Sequence, residues 1–104
     1  MGKTIISDDG RFEWDDEKDK LNVERRRISF SKILEIFDDP TFLTGYDTDH
    51  SDIEDRYFGI GWLNDIVLIV FFTHRGERTR IFSARRVTPK EKEMYDDYIK
   101  KIDG

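Results

Sequence analysis

The chain reads as an α+β domain: a small antiparallel β-meander, preceded by two helices and followed by one. Three observations predict this class. Residues 54–85 hold three strand-like runs joined by short turns, and connections that short permit only antiparallel neighbours. The middle run, Ile66-Val67-Leu68-Ile69-Val70-Phe71-Phe72, is apolar on both faces, as a central strand is. Helix signals fall before and after these strands rather than between them.

A length of 104 residues predicts one domain spanning 1–104, with eight Phe, four Tyr and two Trp to fill one small core. At 39% charge the composition leans toward disorder, but the apolar residues are clustered and periodic. The chain has no cysteine, which excludes a disulfide framework and a thiolate metal site and fits a reducing, cytoplasmic setting. No apolar run reaches the roughly 18 residues of a membrane span, and the N-terminal residues lack the apolar stretch of a signal peptide. A net charge of -5 argues against indiscriminate nucleic-acid binding, so any such contact has to come from a local patch.

Taken in order, Ile5-Ile6 and Phe12-Glu13-Trp14 flank an Asp-Gly turn and predict a small hairpin or one short strand. Asp15 is the expected cap of a first helix that runs to Glu24 or Arg26 with a thin apolar stripe, Leu21 and Val23. Ser29 is the expected cap of a second, whose Phe30, Ile33, Leu34 and Phe37 share a helical face before Asp38-Asp39-Pro40 ends it. Thr41-Phe42-Leu43 suggests a short strand, and residues 44–52 a loop. The three strands are expected at 54–62, 66–73 and 78–85. By strict alternation Arg56, Phe58, Ile60 and Trp62 share one face of the first. On the third, Arg78, Arg80, Phe82 and Ala84 share one face, and Thr79, Ile81, Ser83 and Arg85 the other. Thr88 and Glu91 form a capping box, with Pro89 in the first turn, for a last helix that reaches about residue 102.

The segment from Arg75 to Arg86 holds five arginines and one acid. Arginine keeps its charge and its planar fork matches phosphate, so the strand is either a surface for RNA or another polyanion, or a solvated edge neutralised by the protein's own acids. Asp47, Asp49, His50 and Asp52 invite a cation reading, but their spacing lacks the EF-hand glycine and position 58 is Phe rather than the closing Glu; no metal or cofactor is expected.

A set of short motifs carries a resemblance. Phe12-Glu13-Trp14-Asp15 with Lys18 and Asn22, Ile28-Ser29-Phe30, Phe37-Asp38-Asp39-Pro40, Glu54-Asp55-Arg56, Gly61, Thr73, Arg75-Gly76, Arg80-Ile81, Ser83-Ala84-Arg85, and Glu91 with Tyr95 stand in an order similar to the BrnT toxins. The resemblance spans residues 12 to about 98. It implies a RelE-like fold, metal-independent RNA cleavage that inhibits translation, and a DNA-binding BrnA-like antitoxin as partner. One stretch departs from the family pattern: Arg26 and Arg27 stand where the family has histidine and glycine.

Metal-free RNA cleavage needs a base for the 2′-hydroxyl, cations for the phosphorane and an acid for the 5′-oxygen. The candidates for chemistry are Arg56, Arg80, Arg85, Lys18 and Tyr95; those for RNA binding are Arg25, Arg26, Arg75, Arg78 and His74. Glu54 and His74 join Lys18 and Tyr95 as possible proton carriers. Each has a plain alternative: Arg56 neutralised by Glu54 and Asp55, Lys18 solvated on its helix, His74 exposed in a turn, Tyr95 in the core. The functions left open are a ribonuclease toxin held by an antitoxin and a catalytically inactive homologue that keeps only the antitoxin-binding surface. A plain nucleic-acid-binding regulator is a third class, disfavoured because the basic residues lack a flanking aromatic platform.

Overall fold

The computed structural model describes residues 2–103. Its centre is a six-stranded sheet in the order β1-β2-β6-β5-β4-β3. The strands are β1 (Thr4–Ile6), β2 (Phe12–Asp15), β3 (Leu43–Tyr46), β4 (Tyr57–Leu63), β5 (Ile66–Arg75) and β6 (Arg78–Arg86). Two α-helices accompany them among the described residues, α1 (Asp16–Arg26) and α2 (Pro89–Asp103). This corrects the expected fold class. β4, β5 and β6 do run antiparallel with β5 in the middle, but β2 lies parallel to β6, so the sheet is mixed. A pairing between residues 12–14 and 79–81 leaves no trace in local periodicity.

The expected second helix is also corrected. Residues 30–38 form two short 3-10 segments, Phe30–Lys32 and Leu34–Asp38, and Ser29 makes no side-chain cap. The fully buried residues are Phe30, Ile33 and Ile36, spaced by three, which is the 3-10 repeat rather than the α repeat. Asp19 fixes the start of this stretch by accepting from the Phe30 amide at 2.8 Å. A stretch this short cannot complete a stable α-helix of its own, so packing chooses the tighter form. β3 begins at Leu43 and takes in residues expected as loop, because Gly45 leaves room for the ring of Phe58 across the pair.

The N-terminal hairpin forms around Gly10, at φ 74. Asp15 caps α1 by accepting from the Lys18 amide at 3.0 Å. The expected apolar stripe of α1 is exposed, and the buried residue of the helix is Asn22. Asn22 donates to the Ile28 carbonyl at 2.8 Å and accepts from the Ala84 amide at 3.2 Å. It thus satisfies β6 where β2 has ended, and a polar clamp does the work of an apolar face. α1 ends at Arg27, in the left-handed region at φ 62. Thr88 and Glu91 form the expected capping box: Glu91 accepts from the Thr88 amide at 2.8 Å and its own amide donates to Thr88 Oγ1 at 3.2 Å.

The sheet separates two apolar clusters. One face packs Phe12, Trp14, Leu68, Val70, Phe72 and Ile81 against the 3-10 segments. The other packs Ile60, Val67 and Ile69 against Tyr95 of α2.

Candidate functional site

The arginines are organised by a bulge. Along β5 and β6 the register runs from Leu68 opposite Arg86 to Phe71 opposite Ser83, then jumps so that Phe72 faces Ile81 and Phe82 has no partner. One extra residue exchanges the faces of the strand on either side of it. Strict alternation separates Arg78 and Arg80 from Arg85; the bulge puts all three, with Ser83, on the face carrying Phe71 and Thr73. That face is the one α2 covers further along, beside Ile69 and Val67.

Acids hold three of these strand arginines. Arg80 donates to Glu13 at 2.5 Å, both side chains largely buried, and to Thr4 Oγ1 at 3.2 Å. Arg85 binds Glu91 with two parallel bonds of 2.8 and 2.9 Å, which hold the Glu91 carboxyl below its usual range and raise the Arg85 guanidinium. Arg75 binds Glu54 at 2.8 Å, and this bond likewise lowers the Glu54 carboxyl.

Arg56 differs. With Glu54 taken by Arg75, Arg56 has no ion pair among the described residues and sits 4.0 Å from the centre of the Phe82 ring. Lys18 Nζ approaches the same ring at 5.0 Å. Burial of the ring and the two cations around it follow from the bulge, which frees Phe82 from the alternation of the strand.

Two adjoining hollows meet at this point and share Arg56, Phe82 and Ser83. One, of about 330 Å³, is bordered by Lys18, Arg25 and Arg26. The other, of about 290 Å³, is bordered by Arg85, Asp47 and His50. Together they make a cleft with cations along its length. A larger hollow of about 770 Å³ lies next to it, but Asp15, Glu17 and Glu24 balance its Lys18, Lys20 and Arg80, so it has no preference for a polyanion.

The loop before β4 is pinned rather than loose. The Asp47 amide donates to the Arg56 carbonyl at 2.8 Å, the Ser51 hydroxyl to the Asp47 carbonyl at 2.6 Å, and the Arg56 amide to Ser51 Oγ at 3.0 Å. Thr73 Oγ1 ties the Asp55 carbonyl to the sheet. These bonds fix Arg56 and His50 relative to each other.

The structure therefore brings together Arg56, Arg85, Lys18, Arg25 and Arg26. It does not bring in Tyr95 or His74. Tyr95 is buried under α2, where desolvation raises its hydroxyl, and it shares a hydrogen bond of 2.8 Å with Thr41. His74 is on the opposite face, beside Tyr57 at 5.4 Å and Phe72 at 5.7 Å. Arg75 and Arg78 stand opposite each other in the strand register beside the turn, at the far end of the strands. Sequence reasoning assigned Phe82, Ser83, Asp47 and His50 no role in RNA chemistry. Only His50, one of two histidines in the chain, carried a usable sign.

One family model, described as the ribonuclease toxin BrnT of type II toxin–antitoxin systems, matches residues 14–91. No curated protein matches the chain. The matched span holds every residue of the cleft.

Proposed function

The chain belongs to the BrnT family of ribonuclease toxins of type II toxin–antitoxin systems, and we propose that it cleaves RNA laid across the cleft at Arg56. Family membership implies an RNA target and an antitoxin partner. The observation that carries the placement is Arg56 on Phe82, without an ion pair among the described residues, in a protein that neutralises its neighbouring strand arginines internally.

In this reading Lys18, Arg25 and Arg26 take phosphates on one side of the scissile bond, and Arg85 forms the far wall, gripped by Glu91. Arg56 faces the reacting phosphate. As the 2′-oxygen attacks, charge grows on the equatorial oxygens, and a guanidinium already held against an aromatic ring meets that charge with little reorganisation. The proposal is metal-independent in that the charge on the phosphorane is met by Arg56. Cleavage of messages in the cytoplasm would inhibit translation. A BrnA-like antitoxin that covers the cleft would silence the toxin by excluding RNA.

The test is Arg56→Ala. The purified variant is expected to keep its circular dichroism and cooperative melting and to cleave RNA about 10²–10³ times more slowly. Cleavage should persist in EDTA. Undiminished cleavage by Arg56→Ala would move the chemistry out of this cleft. A second reading, an inactive homologue that only binds antitoxin, is favoured by the internal neutralisation of Arg75, Arg80 and Arg85. Its signature is a wild-type chain that binds antitoxin and leaves RNA intact.

A further inference from the structure

We propose that His50, oriented by Asp47, is the general base of this site. The inference rests on the ribonuclease reading and adds the group that starts the reaction. His50 Nδ1 lies 3.0 and 3.2 Å from the two carboxylate oxygens of Asp47. An ionised carboxylate only accepts, so Nδ1 carries a hydrogen, and in the neutral ring the lone pair is on Nε2. The Asp47 side chain is 12% exposed and the His50 side chain 66%, so the acid is sheltered while the ring opens to solvent and substrate. His50 borders the same hollow as Arg56, Ser83 and Arg85. A base, an unpaired cation and a braced cation thus surround one space of about 290 Å³.

Other proton carriers are spent or elsewhere. Glu54 is bound by Arg75, Tyr95 is buried against Thr41, and His74 is on the opposite face. Lys18 lies across Phe82, on the other hollow. Ser51 bonds to the Asp47 carbonyl and accepts from the Arg56 amide, so the base and the cation move as one piece.

The step is a transesterification. His50 Nε2 takes the proton of the 2′-hydroxyl, and the 2′-oxygen forms a bond to phosphorus. The bond from phosphorus to the 5′-oxygen breaks and its electron pair leaves on that oxygen, which takes a proton from solvent. The products are a 2′,3′-cyclic phosphate and a 5′-hydroxyl. The imidazolium returns its proton to solvent and is stabilised meanwhile by Asp47. The charged groups around the ring are Asp47 on its own loop, Arg56 before β4, and Arg85 on β6 with its partner Glu91.

The experiment compares wild type, His50→Ala, His50→Gln, Asp47→Asn and Arg56→Ala on one short RNA, with folding checked by circular dichroism. Both His50 variants are expected to lose about 10²–10⁴ in kcat with KM little changed. Added imidazole should restore part of the rate to His50→Ala and none to Arg56→Ala. The rise of kcat with pH should vanish in the His50 variants. Asp47→Asn, a change at a positioning residue, should cost less than removal of the ring. If wild type cleaves, Arg56→Ala does not, and His50→Gln matches wild type, this inference is overturned and the ribonuclease reading stands. Loss of rate without imidazole rescue and with an unchanged pH profile would reduce His50 to a structural part. A wild type that leaves RNA intact overturns both.

Discussion

Arg80 donates to Glu13 at 2.5 Å with both side chains largely buried, whereas Arg56 stacks on Phe82 with no ion pair among the described residues. The two carry the same charge and should answer substitution in opposite ways. Arg80→Ala strands a buried carboxylate, and breaking a buried pair from one side costs about 3–5 kcal/mol. Its expected result is a large drop in thermal midpoint or failure to fold, read by calorimetry. Arg56→Ala strands no carboxylate and loses only its contact with the Phe82 ring, so stability should fall by no more than about 1 kcal/mol while the rate collapses. An Arg80→Ala protein as stable as wild type would show that the Glu13 pair contributes nothing to the fold.

At the scale of elements, α2 and β6 are joined by a single carboxylate. Glu91 accepts from the Thr88 amide to start the helix and from both nitrogens of the Arg85 fork. The Arg85 hydrogen bond is the main cause that holds its pKa below the ordinary 4.5, against an opposing push from desolvation. A depressed carboxyl contributes stability in full above its unfolded value and loses it as pH falls through the lower folded value. Glu91→Gln should therefore cost about 2 kcal/mol at neutral pH. The gap from wild type should close progressively as pH falls below 4.5, followed by urea titration at several pH values. A gap that stays constant through that range would mean the charge on Glu91 is not what stabilises the junction. This capping box was legible from Thr88, Pro89 and Glu91 because its signals are local, and so were the Asp15 cap, the β4-β5-β6 order and the central place of β5. The 3-10 segments were not legible, since Phe30, Ile33, Leu34 and Phe37 fit an α face as well as Phe30, Ile33 and Ile36 fit a tighter one. The cleft was legible in its arginines but not in its assembly. Alternation cannot announce a bulge at Phe82, and nothing in neighbouring residues says that Glu54 prefers Arg75 to Arg56.

For the molecule as a whole, a net charge of -5 coexists with a cleft bordered by Lys18, Arg25, Arg26, Arg56 and Arg85. Single-stranded RNA that releases counterions on binding should show a steep salt dependence despite the acidic total. With about four phosphates neutralised, the slope of log K against log salt is expected near -3. Removing Lys18, Arg25 and Arg26 together should flatten it to about -1, as read by fluorescence anisotropy across a salt series. An unaltered slope would place the RNA elsewhere on the surface.

The parallel pairing of β2 with β6 also sets a clock. Residues 12–14 find their partners only at 79–81, and the two walls of the cleft come from Lys18 near one end of the chain and Arg85 near the other. Contacts this distant in sequence close late in folding. A growing chain has neither the bulge nor the far wall until β6 has emerged, so under the proposed reading the cleft becomes able to cut RNA only late in synthesis.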